Sequence, residues 1–405
     1  MTWPVLPYQV QPDAGLPLPT SWKWARIENL YDQLPSGKRK ESKTCGPYGS
    51  IPVLSQGDTG FLGFHSEAPG VISSRANPVV TFANHTCAMR VMRQPFSVIQ
   101  NVFPMVGRQG VCTTLYLYYA TKGRVNISDY KGHHPQYRLG WIPLPPLETQ
   151  RKIAAVLSAY DDLIENNTRR IQILEEMAQA LYREWFVNFR FPGHETSGMV
   201  ESEVGPIPEG WRVTPFSKAA NFVNGFAFAP HHWKEDGLPI IKIAELKNGV
   251  TDKTPRNPGD DVPAKFHIIN GDVLFSWSAD LDAYIWGHGV GLLNQHLFKV
   301  EPTDGITKVF LYFSLKDRMG EFRNRSNGAT MKHIKRSALD EVCFAAPAPE
   351  LVRRFSDNVN PIVEQTLNLA SRNNCLRQTR DLLLPKLISG EVDVADLDIA
   401  MGETN

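Results

Sequence analysis

An internal repeat constrains the fold of this 405-residue chain more than any other feature of its sequence. Residues 145–153 (PPLETQRKI) are similar to residues 347–355 (PAPELVRRF), which follow at an offset of 202. Residues 17–22 (PLPTSW) are likewise similar to residues 206–211 (PIPEGW), at an offset of 189. A chain of this length is too long for one ordinary domain, and a repeat at this spacing indicates two copies of one unit. The two offsets together predict that the second copy is 13 residues longer than the first.

Each copy ends in a stretch with the apolar pattern of a coiled coil. Residues 148–190 contain no Pro or Gly, and their apolar side chains recur at alternating spacings of four and three residues. Asn167 is the one polar position in this pattern, where a buried amide can fix the register of two helices. The pattern continues more weakly over residues 347–389, where we expect Pro361 to kink the helix or mark its effective start and Pro385 to end it.

We predict that these two helices, the first about 50 Å long, pair with each other as an antiparallel coiled coil. Two core helices in separate domains are the alternative. The predicted helix-pairing positions are Ile153, Leu157, Tyr160, Ile164, Asn167, Ile171, Leu174, Leu181 and Trp185 in the first helix, and Phe355, Val359, Ile362, Leu369, Leu376 and Leu383 in the second.

The predicted fold class is α+β, with two mixed α/β blocks separated by the two long helices. Strands or buried apolar runs are predicted at residues 78–82, 96–99 and 115–119, strands at residues 239–243, 271–276 and 296–300, and a helix at residues 309–322. The predicted boundaries are a Pro-rich lead-in at 1–21, a first block at 22–147, a helix at 148–190, a linker at 191–205, a second block at 206–346, a helix at 347–389 and a C-terminal tail at 390–405.

The net charge of +1 conceals an uneven distribution of charge along the chain. Residues 22–147 carry a net charge of +8, whereas residues 206–346 carry +1 and include a basic cluster between Arg318 and Arg336. Phosphate contacts need local rather than global positive charge, although a solvated charged face is the simpler interpretation of one such cluster. No apolar run is long enough to span a membrane, and the five widely spaced cysteines favour a reducing cytoplasm over a zinc site or disulfide framework.

Candidate DNA-reading residues are the polar side chains of the loops, because bidentate donors and acceptors recognise base edges while cations hold phosphates. Each of them, taken alone, is also an ordinary turn residue. The candidates are Lys38, Arg39, Lys40, Arg75, Asn84, His85 and Arg108 in the first block, and Ser276, Trp277, Ser278, Asn294, Gln295, His296, Arg323, Arg325, Asn327, Lys332 and His333 in the second.

The sequence offers little support for a catalytic site or a metal site in this chain. Glu245 and Lys247 have the E-x-K spacing of some nucleases, but strand ends of this composition are common. The pairs His133–His134 and His231–His232 lack the spacing of metal ligands, so we expect them to be solvent-exposed loop histidines. We therefore predict a non-catalytic chain without a metal ion of its own.

The chain resembles the specificity subunit of type I restriction-modification systems, and the resemblance covers nearly all of it after residue 16. Its motifs follow one another in the family's order. They are IPLPPLETQ (142–150) leading into IAAVL (153–157), EMAQAL (176–181) with Trp185 and Phe186, VESEVG (200–205) running into PEGW (208–211), NQHLFKV (294–300), GATMKHI (328–334) and LLPKLISGE (383–391).

The resemblance implies that each block is a target recognition domain that reads one half of a split DNA site. It implies that the paired helices set the spacing between the halves and dock two methyltransferase subunits. Motor-endonuclease subunits complete the complex that the resemblance implies. S-adenosylmethionine then belongs to the methyltransferase subunits, and ATP and magnesium belong to the motor subunits, with no cofactor on this chain. The alternatives are a specificity subunit for a fused methyltransferase-nuclease or another phage-defence system, a pure protein scaffold, and a single-chain nuclease.

Overall fold

The computed structural model of the chain describes residues 18–57, 60–125, 132–326 and 333–399. The chain is divided into two compact units. Unit 1 consists of Met1–Glu165 and Cys375–Asn405, and unit 2 consists of Asn166–Asn374. Each unit therefore combines one mixed block with a part of each long helix. No helix among the described residues is long and apolar enough to cross a membrane.

Unit 1 is built from short strands and two short helices, besides its parts of the long helices. Its strands are β1 (Lys23–Arg26), β2 (Tyr31–Gln33), β3 (Ile51–Leu54), β4 (Gly63–His65), β5 (Val79–Ala83), β6 (Met89–Met92), β7 (Ser97–Val98), β8 (Val102–Gly107) and β9 (Trp141–Leu144). Its helices are α1 (Thr114–Thr121), α2 (His134–Leu139) and the first part of α3 (Leu147–Tyr182), with 3₁₀ turns at Ile27–Asn29 and Ser42–Thr44. An antiparallel sheet has the order β2-β8-β5-β6, a second sheet has the order β4-β3-β7, and β1 pairs with β9.

Unit 2 repeats this construction with additional short elements. Its strands are β10 (Met199–Val200), β11 (Ile207–Pro208), β12 (Arg212–Pro215), β13 (Ala220–Asn224), β14 (Leu238–Ile241), β15 (Arg256–Asn257), β16 (His267–Ile268), β17 (Val273–Ser276), β18 (Asp282–Ile285), β19 (Gly291–Leu293), β20 (Leu297–Pro302) and β21 (Cys343–Ala346). Its helices are α4 (Phe216–Ala219), α5 (Ile243–Asn248), α6 (Lys308–Asp317), α7 (Met319–Asn324), α8 (Ala338–Glu341) and part of α9 (Pro349–Ser389), with 3₁₀ turns at His194–Thr196, Pro230–His232 and Ala264–Phe266.

The two units share one sheet topology. The order β13-β20-β17-β18 in unit 2 corresponds to β2-β8-β5-β6 in unit 1, and the parallel pair β14/β19 corresponds to β3/β7. Corresponding elements start 189 residues apart at β1 and β12, 194 apart at β5 and β17 and at α1 and α6, and 202 apart at β9 and β21. The 13 extra residues of the second copy therefore lie in two places, five between β13 and β17 and eight between α6 and β21.

The predicted α+β fold with two long helices that contact each other is confirmed. Helix α3 ends at Tyr182 and continues as a π-helical turn over Arg183–Val187, and α9 runs without interruption from Pro349 to Ser389. The expectations for the two prolines were wrong in part. The helix starts well before Pro361, because Val352 and Phe355 pack into the core of unit 2. It also continues past Pro385, because Leu387 and Ile388 are buried in the core of unit 1 and hold the last turn in place.

The helices pair in an antiparallel direction within each unit. In unit 1, Asp161 accepts a hydrogen bond from Arg380, and Ile153 and Leu157 share a core with Leu387. In unit 2, Asn167 Nδ2 donates to Asn373 Oδ1 at 3.0 Å, and the rings of Trp185 and Phe355 lie 6.0 Å apart. Partner numbers fall along α9 as they rise along α3. All the predicted pairing positions are buried or half-buried, namely Ile153, Leu157, Tyr160, Ile164, Asn167, Ile171, Leu174, Leu181, Trp185, Phe355, Val359, Ile362, Leu369, Leu376 and Leu383.

The run at residues 115–119, predicted as a strand or a buried apolar run, is buried but forms a helix rather than a strand. It lies within helix α1, whose N-cap residue Thr113 accepts a hydrogen bond from the backbone N–H of Tyr116. Every residue from Leu115 to Thr121 is buried. A helix that is buried on all sides has no amphipathic period, so its sequence cannot be distinguished from that of a buried strand.

Candidate nucleic-acid interface

Polar side chains of unit 2 meet at one edge of its four-stranded sheet, where β13 and β17 end and β20 begins. The indole N–H of Trp277 donates to Asn224 Oδ1 at 3.2 Å, and the Trp277 ring lies 5.8 Å from the ring of His296. Ser278 forms a backbone bridge with His333, and Gln295 Nε2 lies 3.4 Å from His296 Nε2. We call this group the strand-end cluster of unit 2, and its counterpart the strand-end cluster of unit 1.

The counterpart in unit 1 lies where β5 ends and β8 begins. Asn84 Oδ1 accepts a hydrogen bond from the backbone N–H of His134 at 2.9 Å, and the Asn84 carbonyl accepts one from His133 at 2.8 Å. Asn101 Nδ2 lies 3.2 Å from His85 Nε2. Asn84 and Asn101 occupy the same places in the sheet as Trp277 and His296, since each immediately follows or precedes the corresponding strand.

The strand-end cluster has the chemistry needed to read base edges. His85 and His296 are exposed, and the half-buried amides of Asn101 and Gln295 lie beside them. Amides and imidazoles carry donors and acceptors in fixed planes, which is what recognition of base edges in a groove requires. Each unit carries a set of its own, because Asn84 and Trp277 are equivalent positions 193 residues apart, and Asn101 and His296 are equivalent positions 195 residues apart.

Four of the candidate DNA-reading residues are buried, namely Lys40, Ser276, Ser278 and Asn294. Lys40 is buried with its Nζ 2.8 Å from the Glu67 carboxylate, so its charge is engaged inside unit 1. Ser276 is buried, and its hydroxyl donates to the Ser278 carbonyl at 3.2 Å. Asn294 is buried against the backbone of β13's end, where Gly225 permits the close approach.

Three candidate arginines hold neighbouring segments together. Arg108 donates at 3.1 Å to the Asp32 carboxylate and to two backbone carbonyls, so it clamps the turn before β2. Arg323 donates to the Leu281 carbonyl at 3.1 Å, and Arg325 lies 3.3 Å from the Glu341 carboxylate. These side chains remain partly accessible, but the structure assigns each of them a local role.

The other candidates divide into exposed residues and residues outside the described ranges. Lys38, Arg39 and Arg75 are exposed loop residues of unit 1. Asn327 and Lys332 lie outside the described residues.

The histidine pairs behave differently from one another. His231 is exposed, as expected, but His133 is only 1% exposed and precedes helix α2, so the prediction of an exposed loop residue was wrong there. His134 is half-buried, with its ring stacked on Phe103 at 4.1 Å. Burial, together with nearby Arg138, lowers the pKa of His134 to about 4. These rings therefore support the loop on which Asn84 sits.

The E-x-K pair is also accounted for by structure. Glu245 is buried, and its carboxylate accepts hydrogen bonds from the Lys242 backbone N–H at 3.0 Å and from the Thr254 hydroxyl at 3.2 Å. Lys247 forms an ion pair with Asp280. Glu245 thus caps helix α5. Among the described residues, no three His, Cys, Asp or Glu side chains come together as a metal site would require.

Sequence reasoning missed several residues of the strand-end cluster. Asn101, Asn224 and His133 were not singled out, although each contacts a residue that was. Asn101 lies close to the predicted strand at 96–99, whereas Asn224 and His133 adjoin no predicted strand and carry no such signal.

A repeated α+β chain with matching polar clusters at equivalent sheet edges is typical of a binding protein with two related sites. A family model described as the type I restriction modification DNA specificity domain matches residues 80–176. The type I restriction enzyme MjaIX specificity subunit of Methanocaldococcus jannaschii is 25% identical over 335 residues, which cover 76% of this chain and 75% of that protein. The putative type I restriction enzyme MjaX specificity subunit of the same organism is 34% identical over 289 residues, covering 68% of this chain and 64% of that protein.

A solved structure agrees with these sequence matches. The S subunit of a type I restriction-modification system from M. genitalium has a similar fold, with a TM-score of 0.59 at 15% identity, over 94% of this chain and 98% of that one. The chain belongs to the family of type I restriction-modification specificity subunits.

Proposed function

We propose that this chain selects the DNA sequence for a type I restriction-modification complex, with each unit reading one half of a bipartite site. The repetition of the strand-end cluster carries this proposal, because two units of one topology present polar groups at the same sheet edge. The side chains differ, with Asn84, His85 and Asn101 in unit 1 and Trp277 and His296 in unit 2. The two half-sites should therefore differ in sequence.

The paired helices suit a spacer between the half-sites. A coiled coil is stiff, and the buried amide pair of Asn167 and Asn373 restricts the register in which the helices can pair. An arm of about 50 Å is longer than one turn of B-DNA, about 34–36 Å, so a spacer of this length suits two readers on one duplex.

The outer faces of the helices suit a protein partner. Leu163 and Leu382 of unit 1 are 53% and 61% exposed, and Ile173 and Met177 of unit 2 are 46% and 54% exposed. Large apolar side chains that stay exposed on a helix whose pairing face is already buried favour a further helix as partner. We assign this face to the methyltransferase subunits, which would hold S-adenosylmethionine, and we assign ATP and magnesium to the motor-endonuclease subunits.

Paired substitutions in the strand-end clusters test the reading role. Asn101→Ala and His296→Ala each remove one polar group at equivalent places, and a well-formed contact to a base edge contributes about 1–3 kcal/mol of discrimination. Sequencing of methylated adenines in a host that carries the complex should show relaxed preference at one half-site for each variant. Asn221→Ala, at an exposed position elsewhere on β13, is the control and should leave both half-sites unchanged. A change at both half-sites, or at neither, would contradict the proposal.

The docking face has its own test. Ile173→Gln should weaken copurification of the methyltransferase subunit, whereas Arg169→Gln, at an exposed polar position of the same helix, should not. Equal retention of the partner by both variants would contradict docking at this face.

A further inference from the structure

A basic groove lies in unit 1, between strand β6, helix α1 and the two long helices. Its volume is about 770 Å³. None of the described residues that line it belongs to the strand-end cluster. Of the fifteen described lining residues, six are Arg or Lys and two are carboxylates, so positive charge dominates the groove.

The cations come from separate parts of the chain and are held in different ways. Arg93 is paired with Asp162, and Arg380 is paired with Asp161, which anchors both on the long helices. Two further cations lie beside aromatic rings, and one of them, Arg90, also donates a hydrogen bond to the Gly60 carbonyl. The Arg90 guanidinium lies 4.9 Å from the Phe61 ring centroid, and Lys122 Nζ lies 5.1 Å from that of Tyr118. Arg75 and Arg377 complete the set and are exposed.

Unit 2 has the corresponding groove, with a volume of about 810 Å³, but its chemistry is different. Lys316 occupies the place of Lys122, and its Nζ lies 2.7 Å from the Asp282 carboxylate. At the places of Arg90, Asp161, Glu165, Arg377 and Arg380, unit 2 has Tyr284, Val363, Leu367, Glu175 and Ala178. The groove of unit 2 is therefore mainly apolar, and one of its positions reverses the charge found in unit 1.

We propose that the groove of unit 1 binds the phosphate backbone of DNA outside the bases that this unit reads. This inference rests on the proposed function. Cations spread over a strand, a short helix and a long helix match the repeated charges of a polyanion better than they match a single carboxylate. The surrounding block, residues 22–147, carries a net charge of +8, against +1 for residues 206–346.

The difference between the units also argues against a protein occupant. A methyltransferase subunit that docked on both units in the same way would meet cations in one groove and Tyr284, Val363 and Leu367 in the other. Phosphate contacts carry no such requirement of symmetry, because they position a duplex without reading its sequence.

Matched lysine variants test the proposal most cleanly. The complex with its methyltransferase subunit is titrated with a mixed-sequence duplex at several salt concentrations. Each phosphate contact contributes about 0.9 to the slope of log K against log salt, so Lys122→Gln should lower the slope by up to about 0.9. Lys316→Gln, at the matching place in unit 2, should leave it unchanged.

A double variant enlarges the effect. Arg90→Gln with Arg377→Gln should lower the slope by up to about 1.8 and weaken binding of mixed-sequence and target duplexes by the same factor. The corresponding Arg→Lys double variant keeps both charges and should keep the slope, which separates loss of charge from loss of folding.

The remaining outcomes distinguish this inference from the function on which it rests. If Arg90→Gln with Arg377→Gln leaves the slope of log K against log salt unchanged, the groove does not bind phosphates and the inference is wrong. The proposed function still stands in that case if the same variant methylates the same sequence. Loss of the methyltransferase subunit with an unchanged slope makes the groove a protein-docking site and also overturns the inference. A changed methylated sequence would make the groove part of base reading, which again contradicts it.

Discussion

Unit 1 and unit 2 place the same elements in the same order, yet they support equivalent positions with different interactions. In unit 1 the side chain of Gln150 accepts from the backbone N–H of Thr113 at 2.9 Å and donates to the carbonyls of Val111 and Pro145 at 3.0 Å and 2.9 Å. Unit 2 has Val352 at that place, fully buried among apolar residues. The fold therefore depends on the volume and burial of the side chain at the positions of Gln150 and Val352, whereas the chemistry of that side chain can differ between the units.

The same divergence reaches the surfaces. The strand-end clusters differ in side chains but share a place, and the two grooves differ in charge but share their walls. A duplicated chain that kept its fold and varied its surfaces would read two different half-sites.

Removal of a core side chain at the matching positions Ile153 and Phe355 should have the largest effect. Both are fully buried, and deletion of such side chains to Ala costs about 2–5 kcal/mol. Phe355→Ala should increase hydrogen exchange mainly in β17 and β20 of unit 2, and Ile153→Ala mainly in β5 and β8 of unit 1. Equal loss of protection throughout the chain for both variants would show that the units do not unfold separately.

The polar clamp of unit 1 gives the next effect. Gln150→Leu leaves the Thr113 N–H and two carbonyls without this partner, and each buried group left unsatisfied costs about 1–3 kcal/mol. Val352→Leu in unit 2 removes no hydrogen bond and should cost less. Chemical unfolding of both variants measures the difference, and equal losses would mean that the clamp contributes nothing beyond packing.

The amide pair in the coiled coil should show non-additive behaviour. Asn373→Leu alone removes the acceptor of Asn167 and should destabilise the protein by about 1–3 kcal/mol. Asn167→Leu combined with Asn373→Leu should recover part of that loss, because no amide of the pair is left without its partner, although Thr168 still loses the hydrogen bond that Asn373 Nδ2 donates to it at 3.2 Å. A double-mutant cycle measured by thermal unfolding tests this, and simple additivity would contradict pairing of the two side chains.

The smallest effect concerns acid stability and unit 1 alone. The pKa of His134 is lowered to about 4, mainly by burial and also by Arg138, while an unfolded histidine has a pKa near 6.5. Between these values the unfolded chain binds a proton that the folded chain does not, so stability falls as the pH falls from about 6.5 towards 4. His134→Gln should reduce this dependence in unfolding measurements across that range. A slope identical to that of the parent protein would mean that other groups account for it.

Sequence patterns predicted the helices well and the site only in part. Helix-pairing positions such as Leu157 and Leu369 could be predicted because apolar residues recur at a regular spacing along each helix. The repeat offset of 202 then identified the second helix as the counterpart of the first. The run at 115–119 could be predicted as a buried run but not as a helix, because burial on every side erases periodicity. Lys40 and Ser276 were named as candidate readers because a sequence does not show whether a polar side chain in a loop or at a strand end points inwards. The groove was missed because Arg90, Lys122 and Arg377 are brought together only by the fold.

The central claim is that each unit reads one half of a bipartite DNA site. Exchange of residues 22–140 for the matching block of another family member, followed by sequencing of methylated adenines in the host, tests it most directly. We expect a new sequence in one half-site, with the other half-site and the gap between them unchanged. Alteration of both halves, or retention of the original site, would contradict it.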